Sequence, residues 1–257
     1  MKLLKLIVLG ASGPYPGSDD LPSILVVYGR NTLLLDAGEG VQHRIKKSGY
    51  SVAKVRIVLI SHLHGDHVLG LLPLLQSRSL GGCRDKIYII GPPGIREFIE
   101  DNLRILKFEP LYDIIINEVL SQELVIDNVR IYSFPVKHVL PTLAYVVNID
   151  SIKLTYVTDT RPLSVFPDAA ARPDVLIHDS TFAFDMKDKA EEYGHSTSVD
   201  AAEAARNLGA KLLLLYHISP RYKERSQLLY EARRFFSNAY IAEQYMKVVI
   251  IKRSARL

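Results

Sequence analysis

The sequence predicts an α/β protein with mixed β-sheets and helices packed on their outer faces. Short apolar segments rich in Val, Ile and Leu recur in both halves of the 257-residue chain. They come in adjacent pairs as well as in alternation with helical patterns. A purely parallel sheet would need a crossover connection between every two strands, so the adjacent pairs indicate sheets of mixed direction.

The strands are predicted from short β-branched runs and the helices from a 3.6-residue apolar period. The predicted strands cover residues 3–9, 24–28, 32–35, 56–60, 86–90, 130–134, 143–148, 153–157, 175–178, 211–216 and 247–251. The predicted helices cover residues 68–77, 95–107, 198–208 and 224–236. Pro92-Pro93-Gly94 precedes the second helix, and Ser196, Thr197 or Ser198 is expected to cap the third.

Composition places the chain among ordinary globular proteins, with 48% hydrophobic and 23% charged residues. No apolar stretch approaches the roughly 18 residues that a membrane span needs, so no membrane partner is expected. The chain has no linker-like or low-complexity segment, and residues 1–257 are predicted to form a single domain. The single cysteine, Cys83, excludes an intramolecular disulfide and fits a reducing, cytoplasmic location.

The net charge of +4 is unevenly distributed along the chain. From Ser219 onward there are nine Lys and Arg against three Glu, so the C-terminal segment is basic and the remainder slightly acidic. A basic segment of this kind can bind a polyanion such as nucleic acid. A solvated helix face followed by a frayed tail is the alternative interpretation.

The stretch S-H-L-H-G-D-H at residues 61–67 contains three of the chain's 8 histidines. His62 and His64 are two residues apart, so in extended backbone they fall on one side. Gly65 then allows a bend before Asp66 and His67, and a helical pattern follows. Imidazoles beside a carboxylate at the end of a buried strand indicate a metal site that suits zinc, or less selectively manganese or iron. A histidine-rich surface loop is the alternative.

Four ligand-type side chains within six residues cannot all reach one ion, so two ions sharing the loop are expected, with further ligands from elsewhere. His138, Asp159 and His217 each follow an apolar strand. Taken alone, each could be a satisfied buried histidine or a capping aspartate. The repetition of one strand-then-ligand pattern favours a joint role, because strand ends are where α/β proteins place ligands.

The pattern H-x-H-x-D-H followed by spaced His, Asp and His resembles the metallo-β-lactamase superfamily. Within it, the chain is most similar to the ribonuclease Z family, endonucleases that trim the 3′ end of precursor tRNA. The resemblance is carried by LLLDAGEGVQHRI, SHLHGDHVLGLLPLL, YVTDTRP, HDSTF, EEYGHSTSVDAAEAA and YHISPRY. It implies the metallo-β-lactamase fold, an αββα sandwich of two mixed β-sheets with a two-zinc site at one edge, and a homodimer.

The resemblance also implies a role for individual residues. It assigns a first zinc ion to His62, His64 and His138, and a second zinc ion to Asp66, His67 and His217. Both ions would be bound by Asp159. Asp66 could also accept a hydrogen bond from the nucleophile. His195 resembles the residue that contacts the scissile phosphate and protonates the leaving oxygen as a general acid; a helix-capping role is the alternative.

Other polar groups near these motifs are candidates for supporting roles. Ser196 and Thr197 are expected to bind phosphate at a helix N-terminus, where free N–H groups favour anions. Arg221 is expected to meet the RNA backbone, with a solvated loop as the alternative. His178 and Asp179 end a buried strand and either orient metal ligands or are plain structure.

Two departures from the family pattern leave the substrate open. Only 20 residues separate His138 from Asp159, where many ribonuclease Z sequences insert a long Gly/Pro-rich arm that grips tRNA. The loop GASGPYPGSDDLPS also matches the family loosely. The leading hypothesis is therefore a two-zinc endoribonuclease acting on precursor tRNA. An armless metallo-phosphodiesterase for small or cyclic diesters, a carbonyl hydrolase and a non-catalytic RNA-binding relative are the alternatives.

Overall fold

Two seven-stranded β-sheets lie face to face in the computed structural model, which describes residues 2–252. Helices pack on the outer faces of both sheets. The predicted αββα sandwich is therefore confirmed. Within residues 2–252 no helix is long and apolar enough to cross a membrane.

The first sheet combines an antiparallel half with a parallel half. Its strands are β1 (Lys2–Gly10), β2 (Ser23–Tyr28), β3 (Asn31–Leu35), β4 (Val55–Leu59), β5 (Ile87–Gly91), β6 (Ile114–Glu118) and β14 (Lys247–Lys252). Their order is β14-β1-β2-β3-β4-β5-β6. The pairs from β14 to β3 are antiparallel, and those from β3 to β6 are parallel.

The second sheet has the same mixed plan. Its strands are β7 (Gln122–Ile126), β8 (Val129–Val136), β9 (Thr142–Ile149), β10 (Ile152–Val157), β11 (Val175–Asp179), β12 (Leu213–Tyr216) and β13 (Ala239–Ile241). Their order is β13-β12-β11-β10-β9-β8-β7. The pairs from β7 to β10 are antiparallel, and those from β10 to β13 are parallel.

The helices divide between the two outer faces. They are α1 (Val41–Lys47), α2 (Gly65–Val68), α3 (Leu71–Leu80), α4 (Ile95–Ile105), α5 (Lys187–Tyr193), α6 (Ser198–Leu208) and α7 (Ser226–Arg233). Side chains of α1, α3 and α4 pack on the first sheet, and those of α6 and α7 pack on the second. Because the parallel strands of each sheet run in one direction, their carboxyl ends lie at a common edge of that sheet.

Alternation along each strand builds three apolar layers. On β1, Leu6 and Val8 face the second sheet, whereas Ile7 and Leu9 face the helices of the first. All four are fully buried, and burying such a side chain contributes roughly 1.5–3 kcal/mol. Because these strands are buried on both faces, their sequences are continuous apolar runs and do not alternate between apolar and polar residues.

The sequence-predicted elements are present, with shifts at their ends and a few omissions. The helix predicted at residues 68–77 is two helices, α2 and α3, separated at Leu69-Gly70. The strands β6, β7 and β13 and the helices α1 and α5 lie outside the predicted ranges. β7 is an edge strand with exposed Gln122 and Glu123, and β13 has three residues, so neither offers a strong local pattern.

The interval between His138 and Asp159 is occupied almost entirely by sheet. β9 and β10 form a hairpin in which Ile149 pairs with Ile152, and a short loop joins His138 to β9. No segment is left over that could extend as an arm, so the departure noted in the sequence is a structural one.

The basic C-terminal segment is only partly covered by residues 2–252. Within it, Arg225 forms an ion pair with Asp19, and Arg233 donates to the carbonyl of Ala239. Lys252 pairs with Asp174. The remaining cations of the tail, Arg253 and Arg256, lie outside the described residues.

The ion-pair cluster at Asp174 predicts a pH-dependent contribution to stability. Its carboxylate accepts from Lys211 Nζ at 2.9 Å, Lys252 Nζ at 2.6 Å and the backbone N–H of Lys153 at 2.8 Å. Burial raises the pKa of Asp174, but these donors outweigh burial and hold the pKa below its usual value.

Replacing Asp174 with Asn should therefore lower the free energy of unfolding at neutral pH by about 1–3 kcal/mol. Because the folded pKa is depressed, this difference is present above about pH 4 and is lost as the pH falls through the folded pKa. Urea unfolding of both proteins across this pH range measures it. A difference that stays constant down to about pH 2.5 would contradict the assignment.

Candidate metal centre

Three imidazole nitrogens converge at the end of the first sheet. His64 Nδ1 lies 2.9 Å from His62 Nε2 and 3.3 Å from His138 Nε2. His62 and His64 come from the extended loop between β4 and α2, and His138 follows β8 of the second sheet. The two sheets thus contribute to one cluster.

The outer nitrogens of two of these rings are already hydrogen-bonded. His138 Nδ1 lies 2.8 Å from the carbonyl of Gly194, which can only accept, so this nitrogen carries the ring proton. Ser61 Oγ donates to Asp36 and therefore accepts from His62 Nδ1 at 2.9 Å. The inward Nε2 atoms of both rings are left with lone pairs pointing at a common centre. That donor set fits a cation.

A second cluster lies beside the first. Its donor atoms are Asp66 Oδ2, His67 Nε2 and His217 Nε2, which are 3.3–3.4 Å apart. His67 Nδ1 donates to Asp36 Oδ2 at 2.7 Å, and His217 Nδ1 lies 3.0 Å from Thr181 Oγ1. These outer contacts again leave each Nε2 free to face the cluster, as in metal sites whose histidines are oriented by a second hydrogen bond.

Asp159 lies between the two clusters and points one oxygen at each. Its Oδ1 is 3.3 Å from His67 Nε2 and 3.5 Å from His217 Nε2. Its Oδ2 is 3.8 Å from His62 Nε2 and 3.9 Å from His138 Nε2. This is the arrangement of a carboxylate that could bridge two ions. The structure therefore brings together all seven side chains that the sequence singled out as ligands, and a further group of neighbouring donors joins His195 to Asp159 and His217.

The backbone turns sharply where three site residues leave their strands. Asp36, Asp159 and His217 have φ values of 54°, 46° and 58°, in the left-handed region that non-glycine residues rarely adopt. Asp36 and His217 directly follow β3 and β12, and Asp159 follows β10 after one residue. Such strained positions cost of order 1–3 kcal/mol each and are typical of functional sites.

Burial sets the charge of the cluster. Burial lowers the pKa of His62 and of His138, so both rings are neutral and can act as ligands. Burial raises the pKa of Asp159, but the surrounding histidines, His217 and His67 foremost, hold that pKa well below its usual value. Asp159 therefore stays ionised inside the protein, where an anion needs a cationic partner.

His195 lies beside both clusters, with a ring that is 8% exposed. Its Nδ1 is 2.9 Å from Asp179 Oδ2 and 4.0 Å from Asp159 Oδ2. Burial lowers the pKa of His195, but the Asp179 carboxylate outweighs burial and the pKa is raised to about 9. The imidazole is therefore protonated near neutral pH and can donate a proton, which fits the predicted general acid.

Asp179 holds the ring of His195 through Nδ1, so it contacts the expected general acid and none of the seven predicted ligands through this bond. Its Oδ1 also accepts from the N–H and hydroxyl of Thr181 at 2.9 and 2.7 Å, and its Oδ2 accepts from the N–H of Thr160 at 3.0 Å. His178, by contrast, is a buried residue of β11 whose Nδ1 donates to the carbonyl of Asp179 at 2.8 Å and whose Nε2 has no hydrogen-bond partner within residues 2–252.

Asp36 is the site residue that sequence reasoning missed. It is fully buried, and its carboxylate accepts from Ser61 N and Oγ at 2.6 and 2.8 Å, from His67 Nδ1 at 2.7 Å and from Tyr156 O–H at 2.6 Å. The signal was present, because Asp36 follows the apolar run T-L-L-L just as the other site residues follow theirs.

The predicted phosphate contacts of Ser196 and Thr197 find no support in the geometry. Both residues are fully buried. Ser196 Oγ donates to the carbonyl of Thr160 at 2.6 Å, and Thr197 forms a capping box with Asp200 at the start of α6. Their hydroxyls are thus committed to local structure. Arg221, in contrast, is exposed beside the site, with its Nε donating to Ser219 Oγ at 3.1 Å.

A cavity of about 350 Å³ opens above the two clusters. Donor atoms of His64, Asp66 and His138 lie at its floor together with Asp159, and His195 forms part of its wall. The remaining wall is formed by the loop after β1 and by residues near α5 and β12: Pro14, Tyr15, Val139, Thr181, Phe182, Tyr193, Ser219 and Arg221.

Replacing Tyr156 with Phe should destabilise the protein by roughly 1.5–3 kcal/mol, because Asp36 loses a buried donor to a charged acceptor. Replacing Tyr145 with Phe removes a bond to the neutral carbonyl of Ile60 at 2.7 Å and should cost closer to 1 kcal/mol. Guanidinium unfolding of the two variants measures both losses. Equal losses would contradict a special role for the bond to Asp36.

Comparison with known proteins agrees with this geometry. Residues 31–218 match the family described as beta-lactamase superfamily domain. A ribonuclease Z of Ignicoccus hospitalis is 34% identical over 300 residues, covering 98% of this chain and 100% of the relative. A ribonuclease Z of Metallosphaera sedula is 30% identical over 289 residues, covering 94% and 97%. Since the first alignment is longer than this chain, the relative contains residues that this chain lacks.

Solved structures show the same fold over nearly the whole chain. Human tRNase Z, short form, has a TM-score of 0.83 at 26% identity, covering 95% of this chain and 98% of that one. The metallo-β-lactamase fold protein YhfI from Bacillus subtilis has a TM-score of 0.84 at 24% identity, covering 97% and 100%, and at that identity it supports the fold alone. The chain belongs to the β-lactamase superfamily and, within it, to the ribonuclease Z family.

Proposed function

We propose that this chain is a metal-dependent phosphodiesterase, an endoribonuclease of the ribonuclease Z type that processes the 3′ end of precursor tRNA. The observation that carries the proposal is the pair of adjoining donor clusters that share Asp159, with His195 held beside them by Asp179. Relatives named ribonuclease Z that match over nearly their full length support the choice of RNA as substrate.

The donor set supports two zinc ions per chain, with manganese or iron as possible replacements. We propose that the first ion is held by His62, His64 and His138, the second by Asp66, His67 and His217, and both by Asp159. When bound, two such ions lower the pKa of a water molecule and neutralise charge on a phosphodiester.

Asp66 has a second task in this proposal. Asp66 lines the cavity, and its Oδ2 lies 3.3 Å from the Nε2 atoms of His67 and His217. The carboxylate is ionised, because His67 and His217 hold its pKa well below the usual value despite burial. It can therefore accept a hydrogen bond from the attacking water and orient it towards phosphorus.

His195 supplies the proton for the departing 3′ oxygen. An alkoxide is a poor leaving group, and protonation by a positioned imidazolium typically contributes 10²–10⁴-fold to the rate. Asp179 fixes the ring through Nδ1, so Nε2 is the atom from which the proton leaves. Arg221 at the cavity wall is the group we assign to the substrate phosphate.

One observation favours a second candidate, a phosphodiesterase for small or cyclic diesters. The hairpin of β9 and β10 leaves no arm between His138 and Asp159, so the grip that many relatives have on tRNA is absent from that position. The chemistry of the clusters is the same for either substrate, and only the substrate-binding surface distinguishes the two candidates.

We further propose a cytoplasmic homodimer. The single cysteine supports a reducing compartment. Large apolar side chains exposed at the C-terminal ends of α3 and α4 support a self-association surface: Leu80 is 81% exposed and Ile105 is 72% exposed.

Zinc-loaded protein should cut a 3′-extended precursor tRNA in its unpaired 3′ segment. A parallel assay uses a small chromogenic phosphodiester, and metal analysis should find about two ions per chain. Cleavage of the small diester without any cleavage of the tRNA would overturn the tRNA proposal and leave the second candidate. Full activity with fewer than two ions would overturn the two-ion site.

Substituting His195→Ala should lower kcat by 10²–10⁴-fold and leave the metal content unchanged, because His195 is assigned to the leaving oxygen and to no ion. Asp179→Asn should lower kcat less, since the ring remains in place without its charged partner. Rates and metal content are measured on the same preparations. A loss of metal on His195→Ala would show that the ring is a ligand instead.

A further inference from the structure

Two exposed tyrosine rings stand at the mouth of the cavity. Tyr15 is 57% exposed and Tyr193 is 51% exposed, and both line the space above the donor clusters. Within residues 2–252 neither phenol hydroxyl is hydrogen-bonded to another side chain or to backbone, although those of the fully buried Tyr145, Tyr156 and Tyr216 are. Aromatic rings exposed beside polar catalytic groups present apolar surface to water. Such rings are typical of ligand-binding sites.

The ring of Tyr193 is held in a fixed orientation. It stacks on Phe182 with ring centroids 6.4 Å apart and an angle of 20° between planes. Phe182 is 3% exposed, and the Arg221 guanidinium lies 4.9 Å from its ring centroid. Tyr193 ends α5, and the carbonyl of the next residue, Gly194, accepts a hydrogen bond from His138 Nδ1. The stacked pair of Tyr193 and Phe182 is therefore connected to the first donor cluster through the backbone of Gly194.

Tyr15 is carried by a loop that is clamped at both ends. Its carbonyl accepts from Ser12 Oγ at 3.1 Å. Asp19 forms an ion pair with Arg225 and accepts from the N–H of Gln244 at 3.1 Å. Gly13 packs so closely on His217 that a Cβ there would lie 1.9 Å from His217 Nε2. These contacts hold the backbone of the loop against His217, so the ring of Tyr15 is attached to a fixed segment of the cavity wall.

We infer that Tyr15 and Tyr193 stack on the nucleobases that flank the scissile phosphate, so that the substrate is an unpaired polynucleotide strand. The inference rests on the proposed function, because the scissile phosphate is placed at the donor clusters. Base stacking on an aromatic side chain needs an exposed base face, which single strands offer and duplexes do not. Two such contacts beside the scissile phosphate hold the strand at the donor clusters, because this chain has no arm between His138 and Asp159 to hold it.

The test compares RNA with and without the flanking bases. Tyr15→Ala and Tyr193→Ala should each lower kcat/KM for an RNA with an unpaired 3′ extension by roughly 5- to 150-fold. Tyr15→Phe and Tyr193→Phe should restore most of the activity, because stacking needs the ring and not the hydroxyl. On an RNA that is abasic at the flanking positions, wild type and alanine variants should react at similar rates.

Tyr230 provides a matched control, since it is 70% exposed on α7 and does not line the cavity. Tyr230→Ala should leave kcat/KM unchanged for both RNA substrates. Losses of equal size on the abasic RNA, or failure of the phenylalanine variants to restore activity, would overturn the stacking contacts.

A spectroscopic readout separates this inference from the function on which it rests. An RNA with 2-aminopurine beside the cut should lose fluorescence on binding to wild type and keep it with the alanine variants. Quenching without cleavage by wild type would overturn the proposed endoribonuclease and support the stacking contacts. Cleavage that is unaffected by all tyrosine variants, without quenching, would overturn the stacking contacts alone.

Discussion

The structure depends on holding several lone pairs about 3 Å apart inside the protein, around the ionised carboxylate of Asp159. Lone pairs of ring nitrogens and carboxylate oxygens that face one another repel unless a proton or a metal cation lies between them. The fold meets this demand by building both sheets so that their strand ends meet at one edge. Each sheet contributes ligand-type side chains to the same pair of clusters.

Two buried carboxylates make this arrangement rigid, one from each sheet. Asp36 fixes His67 from the end of β3, and Asp179 fixes His195 from the end of β11. Each also accepts backbone N–H groups, so neither can rotate without breaking several bonds. His67 Nε2 faces a donor cluster, whereas His195 lines the cavity, and on this difference we propose the first as a ligand and the second as the proton donor.

The surface above the clusters is the part of the described structure on which a substrate would lie in the proposed function. With the interval before Asp159 used for a hairpin, contact with substrate has to come from the cavity wall itself. That wall is aromatic and cationic, with Tyr15, Tyr193 and Arg221 at its edge. Such a surface is suited to single-stranded nucleic acid, for which stacking and charge matter more than shape.

The sequence by itself determined the ligand-type side chains, because a run such as S-H-L-H-G-D-H after a buried strand is a local pattern with few structural explanations. It also indicated mixed sheets with helices on their outer faces, and the resemblance of its motifs to a known family implied the sandwich. Only the tertiary structure decided which atoms face each other. The bond from Tyr156 to Asp36 joins residues 120 positions apart, and the buried hydroxyls of Ser196 and Thr197 look like phosphate ligands until their local partners are known. Local patterns specify residue types and periods, whereas burial and hydrogen-bond partners depend on contacts between distant segments.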